Sequence, residues 1–249
     1  MCTVVILFRP GHAWPLLLAA NRDEMRDRPW DAPARHWPDR ANVVAGRDRL
    51  ADGTWLGLND EGVVAGVLNR RHSLGPEAGF RSRGELPLEA LDHAEAGVAA
   101  DALSYLETAS YRPFNLVVAD NRDAFWLRSA GEGRAVEAEP LAPGLSMFTA
   151  YDLNDPASPR MRMYLPRFAE AEPPDPGAGI WDSWTGILAS RLYDAEAGPG
   201  GAMNVHTDTG FGTVSSSLLA LPAAGRAGVR PIWLFAAGSP GEVPFDPVV

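Results

Sequence analysis

The chain has 249 residues, of which 46% are hydrophobic and 22% charged, a balance that is typical of a globular protein and excludes a disordered one. Its formal net charge is −10 at pH 7, and its basic residues, all arginine, are interleaved with acids, so nucleic acid is excluded as an expected partner. Its single cysteine, Cys2, excludes an internal disulfide and a zinc site with several thiolates, and favours a reducing compartment, the cytoplasm.

The first predicted element is a β-hairpin. Two apolar segments, Thr3–Phe8 and Ala13–Ala20, are separated by Arg9-Pro10-Gly11-His12, and the Pro-Gly pair is typical of a turn. A signal peptide would need an unbroken apolar stretch after a basic start, which this interruption excludes. No later stretch approaches the ~20 consecutive apolar residues of a membrane-spanning helix. We therefore expect no membrane span and a cytoplasmic location.

Strands are predicted towards both ends of the chain, and helices are grouped between them. The further predicted strands are Asn42–Gly46, Thr54–Leu58, Val63–Leu68, Asn115–Ala119, Ala124–Ser129, Val214–Leu221 and Ile232–Ala236. The predicted helices are Leu86–Ala109, with a break near Gly97, Met161–Ala171 and Trp181–Tyr193. This order favours the α+β class, with antiparallel sheets covered by helices, over alternating βαβ units. No shift in composition divides the chain, so we expect one domain over residues 1–249.

Cys2 directly follows the initiator methionine, and a small side chain at this position generally permits removal of Met1. Removal would place a thiol and a free α-amine on one residue. A free thiol titrates near ~8.5 and an α-amino group near ~7.7–8.0, so the amine could accept the thiol proton at neutral pH. The pattern therefore predicts a nucleophile with its own base, although a single terminal cysteine is also often a small hydrophobic residue.

Two polar sites follow predicted strands. Asn21-Arg22-Asp23-Glu24 ends the second strand of the hairpin, beside the start of the chain, and such a run is most often a solvated turn. The functional alternative is that Arg22 and Asp23 flank the terminal amine, with Asp23 orienting it. Asn69 ends the strand Val63–Leu68, and its amide could stabilise an oxyanion by ~2.7–4 kcal/mol. The structural alternative is that Asn69 is an ordinary turn residue that caps the strand.

Aromatic residues are frequent in the stretch that follows the polar run. Trp30, His36 and Trp37 lie there, and they could line a pocket for an apolar ligand or anchor the loop on the core. His36 could serve as an axial ligand to haem iron. The five histidines show no metal-ligand spacing, and no phosphate-binding or dinucleotide-binding pattern occurs, so no metal site is expected.

Several motifs together resemble a known family. They are Met1-Cys2-Thr3, Asn21-Arg22-Asp23-Glu24, Gly53-Thr54-Trp55-Leu56-Gly57-Leu58-Asn59, Leu68-Asn69-Arg70, Tyr111-Arg112-Pro113-Phe114-Asn115-Leu116 and Phe211-Gly212-Thr213 through Ser215-Ser216-Ser217. This set resembles the NRDE family, also called the transport and Golgi organization 2 family. The family is similar in turn to N-terminal-nucleophile hydrolases of the choloylglycine hydrolase and penicillin acylase type, which also open with Met-Cys-Thr.

The resemblance implies an αββα sandwich of two antiparallel sheets covered by helices, and amide C–N bonds as the substrate class. It implies acyl transfer with Cys2 as the nucleophile, after removal of Met1, to water or to another acceptor. Asp23 would orient the amine, and Arg22 would steer a substrate carboxylate or brace the site. Asn69, with a backbone N–H, would hold the oxyanion.

The sequence departs from these hydrolases in ways that leave a non-catalytic alternative open. Arg22 and Asp23 are adjacent, whereas the acylases space them as Arg-x-x-Asp, and Thr149-Ala150-Tyr151 stands where a second asparagine is expected. A binding or trafficking protein for haem or for a lipid or acyl-CoA-type ligand is the main alternative. A weaker third reading is an interaction protein with a vestigial site.

Both the hydrolase hypothesis and the carrier hypothesis predict a small molecule as the partner and require no cofactor. The oligomeric state is left undefined. Haem enters only as a bound ligand. The candidate ligand-binding residues are Asn21, Glu24, Trp30, His36, Trp37, Trp55 and Arg70.

Overall fold

The computed structural model describes residues 2–131, 133–226 and 228–248. The chain forms two compact units. The first unit comprises Met1–Arg28 and Pro143–Val249, and the second comprises Pro29–Ala142. Each unit is built on one antiparallel sheet that carries helices, as the α+β prediction requires. That the whole chain is one domain stays a prediction.

The first unit holds a six-stranded sheet and two helices. Its elements are β1 (Thr3–Phe8), β2 (Leu16–Met25), β10 (Gly144–Phe148), α3 (Pro159–Glu170), α4 (Asp182–Leu188), β11 (Phe211–Leu221), β12 (Ile232–Ala236) and β13 (Asp246–Pro247). The strand order is β10-β1-β2-β11-β12-β13. The predicted hairpin is confirmed, with Thr3 paired to Asn21 and Phe8 paired to Leu16. The long strands β2 and β11 therefore run side by side in the middle of the sheet.

Helices α3 and α4 cover one face of this sheet. Because side chains alternate along a strand, Val5, Leu17 and Ala19 point to the same face, and they pack with Tyr164 and Trp184 of the helices. Helix α3 begins where the Ser158 hydroxyl accepts a hydrogen bond from the main-chain N–H of Met161, with Pro159 in the first turn. Helix α4 ends at Leu188, five residues before the predicted end.

The second unit holds a seven-stranded sheet in the order β3-β4-β5-β6-β7-β8-β9. Its elements are β3 (Trp30–Ala34), β4 (Val43–Asp48), β5 (Leu56–Asn59), β6 (Val64–Asn69), α1 (Glu85–Leu91), α2 (Ala96–Ser104), β7 (Phe114–Ala119), β8 (Ala124–Ser129) and β9 (Glu137–Pro140). Helices α1 and α2 pack on the face that carries Ala65, Leu116 and Val118. Every strand pair in it is antiparallel.

The predicted helix break near Gly97 is confirmed, since α1 ends at Leu91 and α2 begins at Ala96. The carboxylate of Asp120 accepts a hydrogen bond from the Ala96 N–H and fixes the start of α2 there. One prediction in the second unit is wrong. The stretch after the polar run, predicted to be irregular, forms the edge strand β3 instead.

No helix in residues 2–131, 133–226 or 228–248 is long and apolar enough to cross a membrane.

Candidate active site

The thiol of Cys2 lies at the start of β1, against the neighbouring strand. Cys2 is half-buried, and its Sγ lies 3.7 Å from the main-chain oxygen of Asp23, which accepts a hydrogen bond from the thiol. The register explains this contact, because Thr3 pairs with Asn21 in β2, and Asp23 follows two residues later. The hairpin thus brings the predicted nucleophile and the polar run together.

The polar run is not a solvated turn, so the more common reading of that pattern is wrong. Asn21, Arg22 and Asp23 are 1%, 6% and 5% exposed, and all three lie inside β2. They are buried because β11 continues alongside, with Thr213 opposite Asp23 and Ser216 opposite Asn21.

The side chains of the run alternate between the two faces of the sheet. Thr3, Asn21 and Asp23 share the face of α3 and α4, whereas Arg22 points to the opposite face. Arg22 and Asp23 therefore act on the start of the chain from different sides.

The carboxylate of Asp23 is held by a charged donor and by a hydroxyl. Nη1 of Arg160, in the first turn of α3, lies 2.9 Å from Oδ2 of Asp23. The hydroxyl of Thr213 donates a hydrogen bond of 2.6 Å to Oδ1. Nη1 of Arg160 also donates to the hydroxyl of Thr3 at 2.6 Å, and Nη2 donates to the main-chain oxygen of Gly200 at 2.8 Å. The result is a buried network that joins β1, β2, β11 and α3.

The side chain of Asn21 makes three hydrogen bonds inside the first unit, and its predicted ligand-binding role stays a prediction. Its Nδ2 donates to the main-chain oxygens of Leu188 and Met203, at 3.0 and 2.9 Å. Its Oδ1 accepts a hydrogen bond of 2.6 Å from the hydroxyl of Ser216. The amide therefore ties α4 and the 203 segment to the sheet. Glu24, half-buried, lies 3.7 Å from Nε of Arg28 and accepts the N–H of Met25.

The local environment disfavours ionisation of the Cys2 thiol. Burial raises the pKa of the thiol above its ordinary value, and the negative charge of Asp23 raises it further. The positive charge of Arg22 lowers the pKa, but it is a weaker influence. A neutral thiol is a poor nucleophile, so the site needs a base. The predicted base is the amine that removal of Met1 would free, and Met1 lies outside the described residues.

The remaining predicted residues belong to the second unit. The register places Asn69 opposite Phe114, on the face that α1 and α2 cover, so its predicted oxyanion role stays a prediction. Nη1 of Arg70 donates to Oδ1 of Asn115 at 2.7 Å, and Nε1 of Trp126 donates to the same oxygen at 3.2 Å. Asn115 thus orients Arg70 at the end of β6.

The three tryptophans predicted to bind a ligand comprise one buried anchor and one half-exposed pair. Trp37 is buried in the core, and its Nε1 donates to the main-chain oxygen of Asp52, which agrees with the anchoring reading. Trp30 and Trp55 are half-buried and meet edge to face, with ring centroids 5.8 Å apart. Nε2 of His36 is hydrogen-bonded to the main-chain oxygen of Ala32 at 2.8 Å, so this nitrogen is already engaged.

Arg160 is the residue of this site that sequence reasoning missed. It lies far along the chain, one residue before the helix predicted over Met161–Ala171, and an arginine at such a position is usually solvated. Thr213 and Thr3 were within quoted motifs but received no role. The asparagine nearest to the missing second one, Asn154, accepts the Met147 N–H with Oδ1 and closes a turn after β10.

In the part of the chain that the structure describes, no group of three His, Cys, Asp or Glu side chains is arranged to hold a metal ion.

The fold is similar to that of several solved amide hydrolases. An N-acylethanolamine-hydrolyzing acid amidase ortholog from Caenorhabditis elegans matches with a TM-score of 0.56 and 14% identity, covering 91% of this chain and 95% of that one. Penicillin V acylase from Agrobacterium tumefaciens matches with a TM-score of 0.52 and 14% identity, covering 95% and 83%. A variant of the conjugated bile acid hydrolase from Clostridium perfringens matches with a TM-score of 0.53 and 12% identity, covering 95% and 89%. At these identities the likeness shows the fold alone, the predicted αββα type of the N-terminal-nucleophile hydrolases.

Sequence comparison adds the family. Transport and Golgi organization 2 homologues from Homo sapiens and Bos taurus are 35% and 37% identical over 134 and 166 residues, which cover 48% and 58% of this chain. The matches span about half of those relatives, 45% and 55% of their length. The family model described as Transport and Golgi organisation 2 matches residues 1–170. The chain therefore belongs to the Transport and Golgi organisation 2 family.

Proposed function

We propose that this protein is an amide hydrolase or acyltransferase that uses Cys2 as its nucleophile once Met1 has been removed. The observation that carries the proposal is the contact between the Cys2 thiol and Asp23, whose carboxylate is buried in an ordered charged network. Perturbed thiols beside buried charges are typical of functional sites. The three hydrolases of similar fold supply the substrate class by analogy, an amide that carries an acyl group.

The proposed reaction transfers an acyl group in two steps. Sγ of Cys2 attacks the carbonyl carbon of the amide while the α-amine of the same residue takes the thiol proton. The tetrahedral intermediate collapses, the C–N bond breaks, and the amine returns the proton to the leaving nitrogen. In the second step the amine takes a proton from water, which attacks the thioester and releases the acid. Sulfur regains the proton, so the site returns to its starting state.

Removal of Met1 is the condition for this chemistry. Because burial and Asp23 raise the pKa of the thiol, the thiol alone supplies little thiolate at neutral pH. An α-amine with a pKa near ~7.7–8.0 would be partly neutral there and could serve as the base. A retained methionine would place an amide nitrogen, which is not a base, at the same position.

Intact-mass spectrometry and a substrate panel test the proposal together. We expect the purified protein to lack the mass of methionine and to release amine from at least one N-acyl amide. Cys2→Ala should abolish release, whereas Cys2→Ser should retain a small fraction of it. The matched control is Ser217→Ala, a buried hydroxyl elsewhere in the same sheet. Complete retention of Met1, or release that survives Cys2→Ala, would refute the proposal.

A second candidate is a carrier of haem or of a lipid or acyl-CoA-type ligand. The observation that favours it is the half-exposed pair of Trp30 and Trp55, an aromatic surface of the kind that apolar ligands use. A haem titration followed by Soret absorbance, and an acyl-CoA titration followed by tryptophan fluorescence, test it. Saturable binding that Trp55→Leu weakens tenfold, with no turnover of any amide, would favour the carrier. The single cysteine keeps the cytoplasm as the proposed compartment.

A further inference from the structure

Arg160 is a buried cation that no sequence motif singled out. It lies in the first turn of α3, and its side chain is almost fully buried. Its guanidinium meets three different parts of the first unit: the Thr3 hydroxyl in β1, the Asp23 carboxylate in β2 and the main-chain oxygen of Gly200. Burial of an arginine is costly unless it is paired and hydrogen-bonded, as it is here.

Two of these contacts involve residues next to Cys2. Thr3 directly follows Cys2 in β1, and Asp23 offers the main-chain oxygen that the thiol faces at 3.7 Å. A single guanidinium nitrogen, Nη1, donates to both Thr3 and Asp23, at 2.6 and 2.9 Å. Arg160 therefore links the residue that follows Cys2 to the residue whose main-chain oxygen contacts the thiol.

Arg160 affects the thiol of Cys2 indirectly, by offsetting the negative charge of Asp23. The charged groups that act on the thiol are Asp23 and Arg22, both in β2, and the amino terminus of the chain. Asp23 opposes ionisation of the thiol, and it would equally hold a neighbouring α-ammonium in its protonated form. A carboxylate that opposes the proposed proton transfer therefore sits beside the nucleophile, and Arg160 is its buried counter-ion.

We propose that Arg160 is a positioning residue for Cys2, which ties Thr3 to Asp23 beside the thiol and offsets the charge of Asp23. This lets the thiol and the amine exchange a proton nearer to neutral pH than an unpaired carboxylate would allow. The role in turnover rests on the proposed function. The effect on the thiol does not, since it requires only the folded chain.

The pH profile of Cys2 alkylation tests this inference. The rate of iodoacetamide modification is measured by mass spectrometry between pH 6 and pH 11 for the full chain and its variants. Cys2 is the only cysteine, and peptide mapping assigns the adduct on this thiol separately from any on histidine, methionine or the α-amine. Arg160→Gln should move the midpoint of the profile upward by about one pH unit, because the positive charge of Arg160 then no longer offsets the charge of Asp23. Arg160→Lys, which keeps the charge, should return the midpoint most of the way to that of the wild type.

Asp23→Asn provides the opposite arm of the experiment. Removal of the carboxylate should move the midpoint downward, since the thiol loses its nearest negative charge. General damage to the site would shift both variants in the same direction, so opposite shifts identify a charge effect. This arm also stands alone if Arg160→Gln does not fold. Arg162→Gln is the matched control, because Arg162 lies two residues further along α3 and its guanidinium caps exposed carbonyls of Pro156 and Ala157.

The inference is overturned if Arg160→Gln and wild type share one profile, if Arg160→Lys behaves as Arg160→Gln does, or if Asp23→Asn fails to lower the midpoint. Such results would leave the amide-hydrolase proposal intact, because that proposal is tested by turnover and by the state of Met1. Conversely, opposite shifts without any amide turnover would support the role of Arg160 and refute only the hydrolase.

Discussion

Asp23 and Arg160 form an ion pair of 2.9 Å in which the two side chains are 0% and 4% exposed. Transfer of either charge from water to this interior is unfavourable, and the pair tolerates it because Thr3, Thr213 and Gly200 complete the hydrogen bonding. The ion pair is therefore a condition for the folded first unit as well as a component of the site.

Loss of the cation should destabilise the protein strongly. Arg160→Met removes the buried cation that pairs with the Asp23 carboxylate, and we expect the free energy of unfolding to fall by about 3–5 kcal/mol. Urea unfolding followed by circular dichroism measures this. Arg162→Met, on the exposed side of the same helix, should change the value by less than about 0.5 kcal/mol. Equal effects of the two substitutions would contradict a buried, structurally required pair.

The raised pKa of Cys2 predicts a loss of stability at alkaline pH. The thiol is neutral when protonated, and burial raises its pKa in the folded chain above that of the unfolded chain. The stabilisation that the neutral thiol contributes is therefore complete below its pKa in the unfolded chain, ~8.5. It is lost as the pH rises through the higher pKa of the folded chain. We expect the unfolding free energy of the wild type to fall, relative to that of Cys2→Ala, between pH 8 and pH 10. A difference between the two proteins that stays constant with pH would contradict this.

Gly46 should tolerate no side chain, because Trp55 occupies its space. A Cβ built on Gly46 would lie 2.2 Å from Cζ2 and 2.3 Å from Cη2 of Trp55. We expect Gly46→Ala to cost about 1–3 kcal/mol and to shift the tryptophan fluorescence, since the indole must leave its edge-to-face contact with Trp30. The double variant Gly46→Ala/Trp55→Leu should recover part of the loss. If the alanine costs as much beside leucine as beside tryptophan, the clash is not the cause.

The sequence predicted the scaffold of the site better than its chemistry. Alternating apolar residues and turn signals located β1, β12 and the hairpin of β7 and β8, because these patterns depend on local burial and backbone conformation. The polar run of β2 was misread as a turn for the same reason. Four polar residues are solvated unless another strand covers them, and the strand that does so, β11, lies about 190 residues further along the chain.

Arg160 could not be found from local pattern at all. Its partners Thr3 and Asp23 are 157 and 137 residues away in the sequence, so the network exists only once the sheet and α3 have packed. Asn21, by contrast, lies in a motif that was recognised. The family resemblance includes Asn21 in that motif, but its amide donates to the main-chain oxygens of Leu188 and Met203. A sequence motif therefore identifies residues near a site, but it does not distinguish residues that react from residues that hold the structure in place.

Tyr111 predicts a second, independent loss of stability at high pH. Burial raises the pKa of its phenol well above the ordinary value, and the nearby carboxylate of Glu85 raises it further, although Arg81 lies 5.2 Å from the ring centroid. The phenol is neutral when protonated. The stabilisation that it contributes is therefore complete below its pKa in the unfolded chain, ~10, and is lost as the pH rises above that value.

The wild type should therefore lose about 1 kcal/mol per pH unit relative to Tyr111→Phe above pH ~10. Unfolding by urea at pH 8 and pH 11 gives this difference. Tyr105→Phe is the matched control, because Tyr105 is 81% exposed and its hydroxyl meets water in both the folded and the unfolded chain. We expect the Tyr105 difference to be the same at the two pH values. If the Tyr111 difference also stays constant, burial does not perturb this phenol.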